Sequence, residues 1–228
     1  MEKIPTSSSA LPGPRATLAY PPFQFTIRPV RTPEDLSATI SLIKTYTSGL
    51  GVDLSYQDFE SEMARMPGSY APPLGELFIA VTNNEFQIQN ANNNNNNPPQ
   101  ALGCIALREL HLLLHGQAAY ATTSELDPAA SDTDDGKAGA SGSGKPNTKY
   151  CELKRLYVTP AARGLGVGKA LVKAMLDVAR KIGYEEVRLD TLPDMREAIA
   201  MYSGMGFEVV EKYYEKAIGG TVFLGLRL

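Results

Sequence analysis

The glycine-rich segment at residues 163–169 (RGLGVGK) constrains the fold most, because it joins a predicted strand at 150–158 to a predicted helix at 166–182. Apolar residues recur on one face of that helix, and Gly183 supplies its stop. Backbone N–H groups and the positive end of the helix dipole meet at such a start, and glycines let a ligand approach them closely. With the guanidinium of Arg163 alongside, the segment predicts a phosphate-binding site in an α/β domain.

Two common phosphate-binding motifs do not fit this loop. A nucleotide-triphosphate loop, G-x-x-x-x-G-K-[ST], needs glycine where the chain has Arg163 and a magnesium-binding hydroxyl where it has Ala170. A dinucleotide fingerprint, G-x-G-x-x-G, needs glycine where the chain has Lys169 or, starting two residues later, Leu171. The pattern therefore favours a phosphate ligand of another kind.

The rest of the chain predicts one domain at 21–228 behind a flexible tail at 1–20, with the element order β-α-α-β-β-β-α-β-α-β-β. Strands are predicted at 23–30, 77–81, 101–110, 150–158, 186–190, 207–210 and 221–226. Helices are predicted at 33–46 (with Thr32 as N-cap), from Ser55, at 166–182 and at 194–203 (with Asp194 and Glu197 as a capping box). Stretches of Asn and of Ser, Gly, Ala and Asp, at about 90–99 and 122–148, predict disordered insertions.

Composition excludes several function classes. The formal net charge of −3 does not indicate a nucleic-acid partner. No run of about 18 apolar residues predicts a membrane span, and the N-terminal residues lack the apolar region of a secretory signal. The two cysteines, Cys104 and Cys151, are then expected as buried reduced thiols, and the cytoplasm, with the nucleus as the alternative, is the expected location.

The pattern R-x-x-G-x-G from Arg163, after Leu156-Tyr157-Val158, resembles the signature of the Gcn5-related N-acetyltransferase superfamily. The later helix with Ala198 and Tyr202, closed by Gly-x-Gly-Phe at 204–207, strengthens the resemblance, which is specific over 150–207 and looser over 23–110. It implies a mixed, mostly antiparallel central sheet with helices on both faces and a splayed central strand pair. Apolar residues at 153 and 156 break strand alternation by a step of three, which independently predicts a bulge there.

The resemblance implies transfer of an acetyl group from acetyl-CoA to a primary amine, by direct attack in a ternary complex. The Leu156 amide would polarise the thioester carbonyl, backbone groups of Val158 would pair with the pantetheine arm, and Tyr202 would be the acid. Glu152 is the candidate base; a solvated strand residue, or a partner of Lys154 or Arg155, is its alternative role. The implied cofactor-binding residues are Leu156, Tyr157, Val158, Arg163, Gly164, Leu165, Gly166, Val167, Gly168, Lys169, Ala170, Ala198 and Tyr202.

The sequence also allows two other interpretations of the function. The chain is alternatively a non-catalytic acyl-CoA-binding or sensor module, or a structural domain with a fortuitous glycine-rich turn. Arg108 is expected at the surface or against a substrate carboxylate. Asp190 is expected either to support the site or to have an N-terminal capping or structural role. His111 and His115 lack the glutamate of a metalloprotease helix, so no metal is expected. The acceptor is expected to be a small-molecule or peptide amine, which the sequence does not identify further. A homodimer is expected by family analogy alone.

Overall fold

The computed structural model describes residues 24–49, 59–83, 99–111, 150–215 and 217–228. The predicted tail at 1–20, the helix start at Ser55, His115 and the insertion at 122–148 lie outside these residues. So does the insertion at 90–99, apart from its last residue.

Seven strands of the described residues form one mixed sheet in the order β1-β2-β3-β4-β5-β7-β6. The strands are β1 Phe25–Pro29, β2 Glu76–Thr82, β3 Ala101–Glu109, β4 Tyr150–Val158, β5 Glu186–Thr191, β6 Glu208–Val209 and β7 Val222–Arg227. Every neighbouring pair is antiparallel except β4 and β5, which are parallel. The predicted mixed, mostly antiparallel sheet is confirmed.

Four α-helices of the described residues cover the two faces of the sheet. They are α1 Pro33–Gly49, α2 Phe59–Ala64, α3 Val167–Ile182 and α4 Arg196–Ser203. Leu153 of β4 packs in one core with Leu171 of α3. Tyr157 of the same strand packs in the other core with Ile43 of α1 and Phe59 of α2, because the alternation of β4 is interrupted between these two residues. Each face thus has its own apolar core, and the predicted element order is confirmed.

The helix ends follow the sequence signals in part. The Asp35 amide donates to Thr32 Oγ1 at 3.2 Å, which confirms the predicted N-cap, although α1 continues beyond Tyr46 to Gly49. The predicted capping box of α4 is wrong. The cap position is Met195 and makes no side-chain cap bond, because main-chain bonds within 192–196 turn the chain into the helix instead. No helix among the described residues is long and apolar enough to cross a membrane.

Candidate functional site

Strands β4 and β5 pair only at their beginnings and then separate. The paired positions are Tyr150 with Glu186, Cys151 with Val187 and Glu152 with Arg188. Beyond Glu152 the two parallel strands share no further register pair, so a split opens in the middle of the sheet. The expected splayed strand pair is confirmed.

A bulge lies on β4 beside this split. Cys104 of β3 pairs with Tyr157 and Ala106 pairs with Lys154, so two residues of β4, Arg155 and Leu156, lie opposite one residue of β3. The predicted break in alternation between 153 and 156 is this bulge. Arg155 has φ 58°, in the left-handed region.

The peptide between Arg155 and Leu156 is turned so that its N–H faces away from β3. The Cys104 thiol, on β3, donates to the Arg155 carbonyl oxygen at 3.4 Å. This peptide bond is trans, and in a trans peptide the carbonyl and the next N–H point in opposite directions. The Leu156 N–H therefore points to the split side of β4, where a carbonyl oxygen could accept its hydrogen bond.

The glycine-rich loop ends at an open helix start. Gly166, with φ 83°, is the N-cap of α3 and makes no side-chain cap bond. The first intrahelical bond runs from the Ala170 amide to the Gly166 oxygen at 3.0 Å, so the N–H groups at 167–169 have no intrahelical acceptor. A Cβ at Gly164 or Gly166 would meet no atom within 4 Å. This concentration of donors in open space suits a phosphate group.

The other residues of the predicted phosphate site surround this helix start. Arg163, Leu165 and Lys169 are exposed, Val167 is buried, and Gly168 and Ala170 are half-buried. The Arg163 Nε donates to the Val158 oxygen at 3.3 Å, so its guanidinium folds back over the end of β4. A Cβ at Gly168 would lie 3.5 Å from Val158 Cγ2 and 3.6 Å from Met201 Sδ, which places α4 against the same loop.

Tyr202 is buried on α4, with its ring 5.5 Å from and edge-on to that of Phe207. Ala198 of the same helix is half-buried against the same core. Burial raises the pKa of the Tyr202 phenol, and the nearby Tyr46 and Asp190 raise it further. Because the phenol stays protonated at neutral pH, it is able to donate a proton.

Glu152 lies on the face of the sheet opposite α3 and is fully buried. Its Oε2 accepts bonds from Arg108 Nη2 at 2.7 Å and Nε at 3.0 Å, and its Oε1 accepts one from the Tyr213 hydroxyl at 2.9 Å. Lys154 Nζ lies 3.7 Å from Oε1, so the alternative of a pair with Lys154 is confirmed and that of a solvated residue is wrong. The expectation of a surface Arg108 is wrong for the same reason, because its guanidinium neutralises this buried carboxylate.

Asp190 and Lys154 stand on the separated ends of β5 and β4. Lys154 Nζ donates to Asp190 Oδ1 at 3.0 Å, which bridges the split on the α1 and α2 side. The predicted capping role of Asp190 is therefore wrong, and its alternative as a support of the site fits this position.

Cys104 and Cys151 are buried free thiols, as predicted, and burial raises the pKa of Cys104 to about 12.

Several contacts of the site are not predicted by the sequence. Arg155 pairs with Glu62 of α2 rather than with Glu152. Tyr46 reaches from α1 to the split, where its hydroxyl lies 3.5 Å from Met195 Sδ and its ring 5.4 Å from that of Tyr157. Tyr46 continues the apolar spacing of α1 after Ile43 and could have been found by extending that stripe. Nothing in the sequence links Arg155 to Glu62.

A metal centre finds no support in the described residues, which bring no three His, Cys, Asp or Glu side chains together. His111 Nε2 lies 3.3 Å from Glu109 Oε2 at the end of β3, away from the split.

Comparison with known proteins agrees with this architecture. The model of the acetyltransferase (GNAT) family matches residues 93–207, half of the chain. This chain belongs to the acetyltransferase (GNAT) family. An uncharacterised N-acetyltransferase of Schizosaccharomyces pombe is 28% identical over 207 residues, covering 91% of this chain and 97% of the relative. Membership of this family, together with the similarity to N-acetyltransferases, identifies the chain as an N-acetyltransferase enzyme.

Solved structures share the fold. A GNAT-family acetyltransferase of Staphylococcus aureus superposes with a TM-score of 0.58 at 14% identity, covering 90% of this chain and 99% of that one. A chain of the NatC complex bound to Gag peptide and CoA superposes with a TM-score of 0.53 at 18% identity, again covering 90% and 99%. At these identities the likeness concerns the fold of the GNAT domain.

Proposed function

We propose that this GNAT enzyme transfers an acetyl group from acetyl-CoA to a primary amine of a small molecule or peptide, by direct attack in a ternary complex. The observation that carries the proposal is the Leu156 N–H, turned into the split between β4 and β5 near the open start of α3. The CoA seen in the NatC structure of the same fold supports the choice of acyl donor.

The glycine-rich loop would hold the pyrophosphate of the donor. Uncapped N–H groups at 167–169 and the dipole of α3 favour an anion there, and Arg163 adds a guanidinium at the rim. From this anchor the pantetheine arm would run along the free edge of β4 past Val158. Its thioester would then reach the bulge, where the Leu156 N–H would donate a hydrogen bond to the thioester oxygen as negative charge develops on that oxygen.

The acceptor amine would attack the thioester carbon from the α1 and α2 side. An N–C bond forms, the C–S bond breaks, and the sulfur leaves as a thiolate. Tyr202 would give its phenolic proton to that sulfur and recover a proton from solvent. Its raised pKa, caused first by burial, keeps the phenol protonated until this step.

The amine must also lose a proton, because a free alkylamine has a pKa near 10.4. Glu152 remains our assignment for the base, although both its oxygens are engaged by Arg108 and Tyr213 and a water would have to relay the proton. Asp190, on the separated end of β5, is a second carboxylate near the attack path. Burial favours the neutral form of Asp190, but the ammonium of Lys154 outweighs this effect and lowers its pKa, which makes Asp190 a weaker base than an ordinary aspartate.

Ligand-induced stabilisation tests the donor. Acetyl-CoA at about 100 times its Kd should add about 2.7 kcal/mol to the free energy of unfolding. For a domain of this size that corresponds to roughly 5–11 °C in Tm, and ATP and NAD should give none of it. Arg163→Glu should remove most of the shift, whereas Lys173→Glu, on the exposed face of the same helix, should keep it.

Thiol release across a panel of amines then tests turnover. A shift with acetyl-CoA but no thiol release from any amine would favour a non-catalytic acyl-CoA-binding module. No shift from a folded protein would overturn the proposal.

A further inference from the structure

Arg155 has a backbone conformation that its residue type disfavours. Its φ of 58° makes it the one non-glycine residue with positive φ among the residues that the structure describes. A Cβ in this region approaches the following carbonyl oxygen, so residues other than glycine adopt it only where surrounding contacts hold them. Such a residue beside a site of bond formation calls for a functional explanation.

The Arg155 side chain is held by a carboxylate and by an aromatic ring. Its Nε donates to Glu62 Oε1 at 2.8 Å and its Nη2 to Glu62 Oε2 at 2.5 Å, a two-pronged pair that fixes the plane of the guanidinium. The guanidinium carbon also lies 5.3 Å from the centre of the Phe59 ring, and the side chain is 6% exposed. Tyr70 donates its hydroxyl to Glu62 Oε1 at 3.0 Å, which fixes the carboxylate in turn.

Both partners of this pair stay ionised. Burial would lower the pKa of Arg155, but its hydrogen bonds to Glu62 raise it overall. Burial would raise the pKa of Glu62, but the Arg155 guanidinium lowers it overall. The pair is therefore a permanent link between α2 and the bulge at neutral pH.

This link acts directly on the Leu156 N–H. The peptide that carries that N–H begins at the Cα of Arg155, so the dihedral angles of Arg155 set its direction. An extended conformation at 155 would realign the peptide with the strand and move the N–H out of the split. The Cys104 thiol holds the carbonyl end of the same peptide, and the side chain of Arg155 holds its Cα.

We propose that Arg155 is a positioning residue whose ion pair with Glu62 holds the Leu156 N–H toward the thioester oxygen during acyl transfer. The inference rests on the proposed function. It adds that α2, on the side from which the acceptor would attack, is fastened to the peptide that stabilises the developing oxyanion.

Two substitutions of Arg155 distinguish a role in positioning the Leu156 N–H from a role in stability alone. Arg155→Ala and Arg155→Gly both remove the pair with Glu62 and so lose its stabilisation equally. Glycine adopts a positive φ as readily as a negative one, whereas alanine does not. A difference in turnover between the two variants therefore reports on the backbone at 155 and not on the anchoring of α2.

The decisive measurement is kcat and KM for acetyl-CoA in both variants, with the amine that gives most thiol release. Loss of an oxyanion donor predicts about a hundredfold to thousandfold lower kcat in Arg155→Ala, with KM nearly unchanged. In Arg155→Gly we expect recovery of at least half of that loss on a logarithmic scale. Arg31→Ala removes a similar two-pronged pair, with Glu76 at 2.8 and 2.6 Å, and should leave kcat unchanged. Equal kcat in the alanine and glycine variants would overturn the proposal.

Crystal structures of the two variants give a readout that does not depend on activity. We expect residue 155 to keep its positive φ in the glycine variant and to leave it in the alanine variant, with the Leu156 N–H turned away from the split. An unchanged peptide in Arg155→Ala would overturn the inference even if its kcat falls. Absence of thiol release from the wild-type protein with every amine would instead count against the proposed function, and the crystal structures would then decide the positioning role alone.

Discussion

Gly103 of β3 and the carbonyl oxygen of Tyr157 on β4 lie so close that a Cβ at residue 103 would be 2.5 Å from that oxygen. The same Cβ would also be 3.3 Å from the Cα of Val158. Real Cβ atoms do not approach a backbone oxygen so closely, so only glycine allows β3 to hold β4 at this distance. The contact lies one residue beyond the bulge and fixes the position of the strand that would carry the pantetheine arm.

Gly103→Ala should therefore push β4 away from β3 and destabilise the domain by about 1–3 kcal/mol, the usual cost of overpacking. Urea denaturation followed by circular dichroism measures this loss. Gly49→Ala is the matched control, because a Cβ there meets no atom within 4 Å and alanine is favoured over glycine in a helix. Equal stability of the two variants would show that the strands separate without cost.

Tyr202→Phe tests the acid. The phenylalanine ring keeps the packing against Phe207 and the apolar core, so stability and the affinity for acetyl-CoA should stay close to those of the wild-type protein. Without the phenolic proton, kcat should fall by about 10²-fold or more, the usual contribution of a positioned acid. Stopped-flow thiol release and calorimetric binding separate the two effects, and an unchanged kcat would assign the protonation of the thiolate to another group.

The raised pKa of Tyr202 adds a dependence on pH. Since burial, Tyr46 and Asp190 all raise it, the phenol should keep its proton through the ordinary phenol range near 10. The kcat of the wild-type enzyme should therefore show no alkaline limb below that range. A limb with a midpoint between about pH 7 and 9 that disappears in Tyr202→Phe would contradict the stated direction of the shift.

Glu152→Gln tests the base. If Glu152 receives the amine proton through a water, kcat should fall by about 10²-fold or more with acetyl-CoA binding unchanged. The glutamine also removes the negative charge of Glu152 from its pair with the Arg108 guanidinium, at a cost of about 1–3 kcal/mol in stability. Arg108→Met is the control, because it breaks the same pair and keeps the carboxylate. Equal losses of kcat in the two variants would mean that the pair supports the site and that neither group is the base.

The sequence predicted the parts of this molecule that depend on local spacing. The glycine-rich loop, the bulge at 153–156 and the order of elements all follow from residues close together in the chain, and each is found. The ion pairs could not be predicted in the same way. Arg155 and Glu62 are 93 residues apart, and Glu152 is held by Arg108 and by Tyr213 from distant segments. Sequence alone predicts that a polar residue on a strand is solvated, because the distant residue that pairs with it is known only from the fold.

The predicted capping box of α4 is wrong because the helix begins one residue later than the motif assumes. Asp194 and Glu197 have the spacing of a capping box, but the N-cap is Met195, and main-chain bonds from the amides of 195 and 196 form the turn that precedes the helix. The spacing of two residues does not by itself fix which residue becomes the N-cap.

The pair of Lys154 and Asp190 should make stability depend on pH in the acid range. Burial alone would raise the pKa of Asp190, but the ammonium of Lys154 outweighs the effect of burial and lowers this pKa below its ordinary value of 3.8. A lowered pKa means that the unfolded state binds the proton more tightly, so this stabilisation is complete well above 3.8 and is lost as pH falls through the folded pKa. Asp190→Asn should lose about 3 kcal/mol at neutral pH, because Lys154 is left buried without that partner, and the gap to wild type should close in acid.

Urea denaturation of both proteins at about pH 7, 4 and 2 measures this closing gap. The double variant Lys154→Met with Asp190→Leu is the control, since replacing both charges by apolar groups is often neutral or stabilising, whereas removing one partner is not. If the gap between wild type and Asp190→Asn is the same at every pH, the bridge across the split does not depend on the charge of Asp190. The strands would then be held apart at the correct distance by the bulge and by the packing of α1 and α3 alone.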